Sequence, residues 1–406
     1  MGLIVQKYGG SSVADAGCIM NVAKKIIRAY SKGNKVVVVL SAQGDTTDEL
    51  IAKAMEISDR PSKRELDMLM STGEQISIAL MAMALEKLGY KAVSLIAGQA
   101  GIYTNAVHGS ALIKRICADR IFKELDEGKI VIVAGFQGID DHGDITTLGR
   151  GGSDTTAVAL AAALNADHCE IYTDVDGVYT ADPRIVRNAR KLDEVTYDEM
   201  LELASLGARV LHNRSVELAN NYRVKLVVRS SKNNHKGTLV REAGGMEKTV
   251  VKGVTYDTDI ARLSVIAVRD IPGVAYKLFK LLADANINVD IILQSIGRDD
   301  TKDISFTVSR SQLSESVEVI NRNLDYLGAK AVSFTRDIAK VSIVGAGMAA
   351  HPGVAATMFG ALADEGINIH MISTSEIKIS CLISADEVDK AVKAIHDRFN
   401  LGEAAS

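Results

Sequence analysis

Two stretches of this chain are copies of one another. From Ile271 it reads IPGVAYKLFKLLADANINVDII, and from His351 it reads HPGVAATMFGALADEGINIHMI. The offset is constant: Pro272 matches Pro352, Phe279 matches Phe359, Asp284 matches Asp364 and Asn288 matches Asn368. Each copy predicts a strand, a Pro-Gly turn, a helix and a second strand. In the first helix Val274, Leu278, Leu281, Leu282 and Ala285 share one face at helical spacing. Strand-like segments follow each copy, at residues 304–308 and 377–383. A duplicated unit of this size predicts two small α/β modules of βαββ type.

The first 230 residues or so follow another rule. Short β-branched runs at residues 3–5, 36–40 (VVVVL), 92–96, 130–134 (IVIVA), 170–173 (EIYT) and 225–228 predict strands. Between them, amphipathic or Ala-rich stretches at 18–30, 47–57, 73–88, 110–127 and 155–164 predict helices. This alternation predicts a mainly parallel sheet with helices on both faces. Ligands of such sheets gather at the C-terminal ends of the strands. The polar segment SSKNNHKGTLVREAGGMEK, residues 230–248, reads as the end of this domain and a linker. The expected boundaries are 1–245 for the first domain, 246–262 for a linker with a leading strand, 263–340 for the first module and 341–406 for the second.

Composition removes several function classes. With 406 residues the chain holds two or three domains. A net charge of -4, 4% aromatic residues and no Trp give no basis for nucleic-acid binding. No run of about 18 apolar residues is present, so no transmembrane helix is expected. The start of the chain lacks a basic segment followed by an apolar run, so no signal peptide is expected. Cys18, Cys117, Cys169 and Cys381 are scattered without a C-x-x-C, which fits a reducing cytoplasm better than disulfides or zinc. No metal site is expected, because no His/Cys cluster has ligand spacing.

Several glycine-rich loops fall at predicted strand ends. In KYGGSS, residues 7–12, Lys7 precedes Gly9 and Gly10, the reverse of the usual phosphate loop. A strand, a glycine turn and a helix start still offer backbone amides to an anion, and Lys7 reads as a phosphate contact. TTLGRGGSDTTA, residues 146–157, combines three glycines, the planar fork of Arg150 and Asp154. Asp154 reads either as a helix cap or, with Arg150, as part of a substrate loop. YTDVDGVYTADPR, residues 172–184, reads equally as a turn or as a nucleotide loop, with Thr173 and Asp174 at a strand end, Tyr179 against a sugar or base and Arg184 toward phosphate. In STGEQIS, residues 71–77, Ser71 and Thr72 read as a helix cap and Glu74 as a first-turn acid. In LSAQGDTTDEL, Ser41 ends a strand and Thr47 reads as the cap of the next helix.

Taken in this order, KYGGSS, SAQGDTTDEL, STGEQIS, TLGRGGSDTTA and TDVDGVYTADPR resemble the aspartate kinases of the amino-acid kinase superfamily. The C-terminal pair resembles the tandem ACT regulatory domains of that family, so the likeness spans essentially the whole chain. It implies an amino-acid kinase fold, a mainly parallel sheet sandwiched by helices, followed by two ferredoxin-like βαββαβ ACT domains. It implies ATP-dependent phosphorylation of the β-carboxylate of L-aspartate to 4-phospho-L-aspartate, the first step toward lysine, threonine and methionine. By this resemblance Lys7 stabilises the transition state and Asp154 positions it, with Gly9, Gly10 and Ser11 near phosphate. Thr173, Asp174, Tyr179, Asp182, Arg184 and Arg209 would hold ATP. Arg209 stands where the family often has lysine, which keeps the charge but not the geometry. Ser41, Thr47, Glu74, Arg150, Gly151, Gly152 and Ser153 would form the substrate side, Arg150 clamping a carboxylate and Glu74 meeting the ammonium. Mg²⁺ bound mainly through ATP oxygens would leave little mark in the sequence.

The ACT resemblance implies effector sites between ACT domains of two subunits, in a homo-oligomer or mixed assembly, with lysine and/or threonine as inhibitor. The effector residues it implies are Asp270, Ala275, Asn288, Asp290 and Gln294 in the first repeat and Asn368, Ile369 and Ser375 in the second. Asp270 aligns with Ala350, so the two pockets are expected to differ. Some relatives make a separate regulatory subunit from an internal start, and Met246 lies at that place. Two alternatives stay open: a kinase for acetylglutamate, glutamate or UMP, and an amino-acid sensor with an inactive kinase domain.

Overall fold

The structure, a computed structural model, describes residues 2–204, 211–242, 250–295 and 300–402. They form two compact units. One comprises the described residues of 1–179 and 191–246; the other comprises 180–190 and the described residues after 246. The boundary expected near 245 is thus accompanied by a short upstream insertion into the second unit.

The first unit is built on an eight-stranded sheet. Its centre is parallel: Leu3–Tyr8 lies between Lys35–Leu40 and His168–Thr173, and Ile130–Ala134 extends the sheet beyond Lys35–Leu40. Residues 36–40 and 130–134 are buried throughout, as strands covered by helices on both faces must be. The register aligns Tyr8 with Leu40 and with Tyr172, and Leu40 with Ala134. Four strand ends therefore stand side by side, and the loops after Tyr8, Leu40, Ala134 and Thr173 open from one edge. The helix Ala16–Tyr30 packs on this sheet through Ile19, Val22, Ala23 and Ile26, one helical face, with Asp15 capping its start. A second, four-stranded sheet is made from Ile113–Ile116, Ile102–Thr104, Gln137–Ile139 and Ile145–Thr147.

Three local expectations are corrected. Residues 110–127 do not form one helix: Ile113–Ile116 is a strand and Asp119–Asp126 the helix. The helix expected from residue 73 runs Lys63–Lys87, capped by Ser62, so Ser71 and Thr72 lie inside it and donate to the carbonyls of Met68 and Leu69. Thr47 is the second residue of the helix Thr46–Ile57 rather than its cap. By length and composition alone Lys63–Lys87 is long and apolar enough to cross a membrane, a test that buried core helices also pass. Its buried face nevertheless carries Asp67 and Glu74 and packs inside the first unit.

The second unit contains two four-stranded antiparallel sheets. In one, Ala261–Arg269, Val274–Asp284, Ile292–Gln294, Thr301–Val308, Leu313–Asn321 and Ala331–Thr335 run strand, helix, strand, strand, helix, strand. In the other, Ile338–Val344, Val354–Asp364, Met371–Thr374, Lys378–Ser384 and Val388–Arg398 repeat this order up to the second helix. The fourth strand of that sheet is Gly253–Asp257, supplied from upstream and paired antiparallel with Ile338–Val344. The stretch expected as a linker thus belongs partly to the second module, and the first module is nested within it. Arg310 donates to the carbonyls of Ile260 and Ile338, and Ile260, Ile291, Ile338, Met371 and Leu382 form an apolar cluster shared by the two modules.

Residues 180–190 join the core of the second module. Ala181 and Val186 are buried among its apolar side chains. The amide of Val254 donates to the Thr180 carbonyl, 2.7 Å. Burying a valine contributes about 1.5–3 kcal/mol toward holding the segment there.

Candidate active site

The aligned strand ends of the first unit gather the glycine loops. Lys7 projects from the first strand, and its Nζ lies 2.6 Å from Asp154 Oδ1; both side chains are largely buried. A buried ion pair is costly to break, since removal of one partner strands the other charge. Asp154 lies in the first turn of the helix Gly152–Ala163, whose cap is Gly151; the capping role left open for Asp154 is therefore not the one it plays. Gly151 has φ +69°, and a Cβ there would stand 2.2 Å from the His212 ring. Only glycine meets both conditions.

Gly9 and Gly10 follow directly. A Cβ on Gly10 would lie 2.6 Å from the Ala42 carbonyl, so the loop after the first strand touches the loop after the second. The amide of Gly44 donates to the Gly10 carbonyl, 3.1 Å, and that of Ser41 to the Tyr8 carbonyl, 3.2 Å. Ser11 is exposed in the short turn Gly10–Ser12. Glu74, on the helix Lys63–Lys87, reaches the same place: its Oε1 accepts the Ala42 amide at 3.1 Å. Glu74 is buried, and its Oε2 has no hydrogen-bond partner among the described residues. Burial pushes its carboxyl up to about 7. Ser153 packs against Gly135, at the end of the fourth aligned strand, while Arg150 is exposed at the tip of the glycine loop. Thr47 is half-buried in the first turn of its helix.

Thr173 ends the strand next to that of Lys7, and its hydroxyl donates to Asp174, 2.9 Å. Tyr179 donates to Asp176, 2.6 Å, which pushes the phenol up to about 12. Asp182 and Arg184 lie in the second unit, where they form a bidentate pair and Asp182 also accepts from Tyr256. Arg209 and Met246 lie outside the described residues.

Beneath the loops runs a buried polar network that single-residue reading missed. Gln6 and Tyr172 donate to Glu170 at 2.8 and 3.1 Å, Arg229 lies 3.3 Å from it, and Tyr8 stacks on Tyr172 with ring centroids 4.5 Å apart. Alternation along a strand was the available signal, since Gln6, Tyr8, Glu170 and Tyr172 share one face.

His108, Asp140 and Asp144 bring their ligand atoms within 4.8 Å of one another, a grouping not legible from spacing. Each already has protein partners. Arg64 pairs with Asp144, Asp140 accepts two backbone amides, and His108 Nδ1 lies 3.0 Å from Asp67.

Of the expected effector residues, Asp270 is paired with Lys302 at 2.7 Å and Asp290 with the buried Lys340. Ala275 lies in the first turn of Val274–Asp284, the Asn288 amide donates to Gln312, and Gln294 ends an exposed strand. Asn368 and Ile369 precede the strand Met371–Thr374, and the Ser375 amide donates to the Lys378 carbonyl beyond it.

Comparison with known proteins places the chain in a family. The model of the amino acid kinase family matches residues 2–230, and that of the ACT domain matches residues 263–324 and 341–399. The aspartokinase of Geobacillus stearothermophilus is 53% identical over 407 residues, covering 100% of this chain and 99% of its own. The structure of E. coli aspartokinase III in complex with aspartate and ADP (R-state) superposes with a TM-score of 0.82 at 27% identity, covering 98% of this chain and 99% of that one. The same enzyme in complex with lysine and aspartate (T-state) gives 0.79 at 28%, covering 99% and 100%. The fold and the strand-end site thus define an amino acid kinase joined to ACT domains. Within that class, the chain belongs to the aspartokinases.

Proposed function

We propose that this chain transfers the γ-phosphoryl group of ATP to the β-carboxylate of L-aspartate, giving 4-phospho-L-aspartate for lysine, threonine and methionine synthesis. The observation that carries the reading is the Lys7–Asp154 pair among Gly10, Ser153 and Glu74 at four aligned strand ends. An acceptor carboxylate is ionised near pH 7 and requires no general base. Acceleration then comes from alignment and from neutralising charge on the transferring group. Lys7 supplies that charge, and Asp154 holds its ammonium at the strand end. Arg150 and the Gly151–Ser153 turn take the substrate carboxylate, Glu74 takes its ammonium, and Ser41 and Thr47 line that side. Gly9, Gly10 and Ser11 receive phosphate, and Thr173, Asp174 and Tyr179 face the nucleotide. Arg209 completes the proposed ATP set.

Asp154 is committed to Lys7, and Asp174 accepts from Thr173. The donor set thus suits a Mg²⁺ held mainly by ATP oxygens, where it would offset phosphate charge.

The ACT modules are read as the sensor of lysine and/or threonine, supported by the lysine complex of the E. coli relative. Because Asp270 and Asp290 carry internal lysine partners, an effector ammonium would have to exchange with Lys302 or Lys340. The strands Ile292–Gln294, exposed, and Met371–Thr374, exposed in part, lie at sheet edges, which suits association through these modules, in a homo-oligomer or with a regulatory chain begun near Met246. Four free cysteines fit a cytoplasmic setting.

The test is acyl-phosphate formation from ATP and Mg²⁺, trapped with hydroxylamine, using aspartate, acetylglutamate and glutamate, with UMP phosphorylation followed separately. Lysine and threonine are added singly and together. Product with aspartate alone, abolished in Lys7→Ala, is expected. Turnover with another acceptor alone overturns the substrate, and amino-acid binding without any turnover overturns the kinase reading. Saturating lysine and threonine that leave rate and aspartate affinity unchanged overturn the feedback reading.

A further inference from the structure

Residues 147 and 148, the root of the glycine loop, are gripped by two oppositely charged side chains. Asp67, fully buried on the helix Lys63–Lys87, accepts the Thr147 amide at 3.0 Å, the Thr147 hydroxyl at 2.6 Å and the Gly109 amide at 3.0 Å. Arg214, on the helix Asn213–Tyr222, donates to the carbonyls of Leu148 and Ala111, each at 2.8 Å. The Ala111 amide in turn donates to the Thr147 carbonyl, 2.8 Å. An anion therefore takes the N–H groups of these two segments, and a cation takes their C=O groups. Arg214 is partly buried, and no carboxylate lies within 4 Å of it among the described residues. Its desolvation is offset by carbonyls alone, and its planar fork holds two of them at a fixed separation. Two residues earlier His212 fills the space beside Gly151, so one helix start contacts both ends of the loop.

We infer that Arg214 is a positioning residue for the acceptor: by fixing Leu148 it sets where Arg150 and Ser153 stand. It acts through the loop and touches no reacting atom. The inference rests on reading Arg150 as the carboxylate clamp. A displacement of about 1 Å at such a group can cost on the order of 100-fold in rate.

The experiment is steady-state kinetics of the full chain as wild type, Arg214→Lys, Arg214→Met, Arg150→Ala and the Arg150→Ala/Arg214→Met double variant. Arg214→Met is expected to raise the KM for aspartate by on the order of 10-fold to 100-fold, with the KM for ATP changed by less than about twofold. Arg214→Lys, a point donor without the fork, is expected to fall between. In the Arg150→Ala background the Arg214 substitution is expected to add little, because both changes disable one clamp. Additive effects, or equal rises in both KM values, overturn the inference while leaving the clamp reading intact. An aspartate KM unchanged in Arg150→Ala overturns the clamp reading and this inference with it. If Arg214→Met does not fold, Arg214→Lys and its double with Arg150→Ala decide by the same criteria.

Discussion

Glu74 shows how one burial decides a residue's chemistry. Its place in STGEQIS suggests a first-turn acid, yet it sits in the fourth turn of a long helix, in contact with the Ala42 amide and with one oxygen unpartnered among the described residues. Its carboxyl, ordinarily near 4.5, is raised to about 7 by burial. Between these values the folded chain holds a proton that the unfolded chain has lost, so its contribution to stability falls as pH rises through 7. A substrate ammonium pairs only with the ionised form. The KM for aspartate is therefore expected to fall as pH rises from about 6 to 8 and then level off. In Glu74→Gln it should be higher and flat over that range. Initial-rate measurements across pH with saturating ATP check this, and an unchanged pH profile in the variant would exclude Glu74 as the titrating group. Lys7 was legible because an isolated cation between a strand and two glycines is unusual. Asp67 and Arg214 were not, because a side chain that grips backbone carbonyls or amides leaves no motif.

At the scale of elements, strands buried on both faces were the most legible, since VVVVL and IVIVA have little alternative to a covered sheet. The three-residue strands at 102–104, 137–139 and 145–147 are too short to show a period, and the helix expected over 110–127 absorbed a fourth strand of their sheet. The start of Lys63–Lys87 was missed because Ser-Thr-x-Glu imitates a capping box that the helix does not use. The helix Gly152–Ala163 depends on Gly151 in a left-handed conformation against His212. Gly151→Ala should cost about 1–2 kcal/mol from backbone conformation alone, more with the ring displaced. The expected outcome is a Tm lower by about 2–4 °C or more, with a raised aspartate KM. Thermal unfolding and kinetics on one sample check it. An unaltered Tm with normal kinetics would mean the loop adopts another path without loss.

The whole molecule is organised by two departures from chain order. Gly253–Asp257 completes the second small sheet before the first is built, and residues 180–190 leave the first unit to join the core of that same module. They are held at Thr180, whose hydroxyl accepts the Arg190 amide and lies 3.0 Å from His396 Nε2. The neck through which they pass is closed by a bridge between Tyr179 and Lys191. Asp174–Tyr179, expected at the nucleotide, is thus covalently continuous with the regulatory module. His396 is fully buried, and burial pushes its imidazole below the ordinary 6.5, opposed by Asp397. Below pH 6.5 the unfolded chain takes up a proton that the folded imidazole resists, so stability is lost as pH falls. The Tm should drop between pH 6.5 and 5, less so in His396→Gln. Calorimetry at several pH values checks this, and parallel curves for the two proteins would remove His396 as the cause.

The sequence by itself determined the strand runs, the duplicated modules and the loops that carry Lys7, Arg150 and Asp154. These depend on local periodicity, on glycine and on charge beside a strand end, all written within a few adjacent residues. Tertiary structure alone decided that Lys7 and Asp154 pair, that Glu74 is buried against Ala42, that Asp67 and Arg214 grip the glycine loop, and that an upstream strand completes the second module. Those outcomes follow from which strands lie side by side and which backbone groups need partners. Both are settled by contacts between residues far apart in the chain.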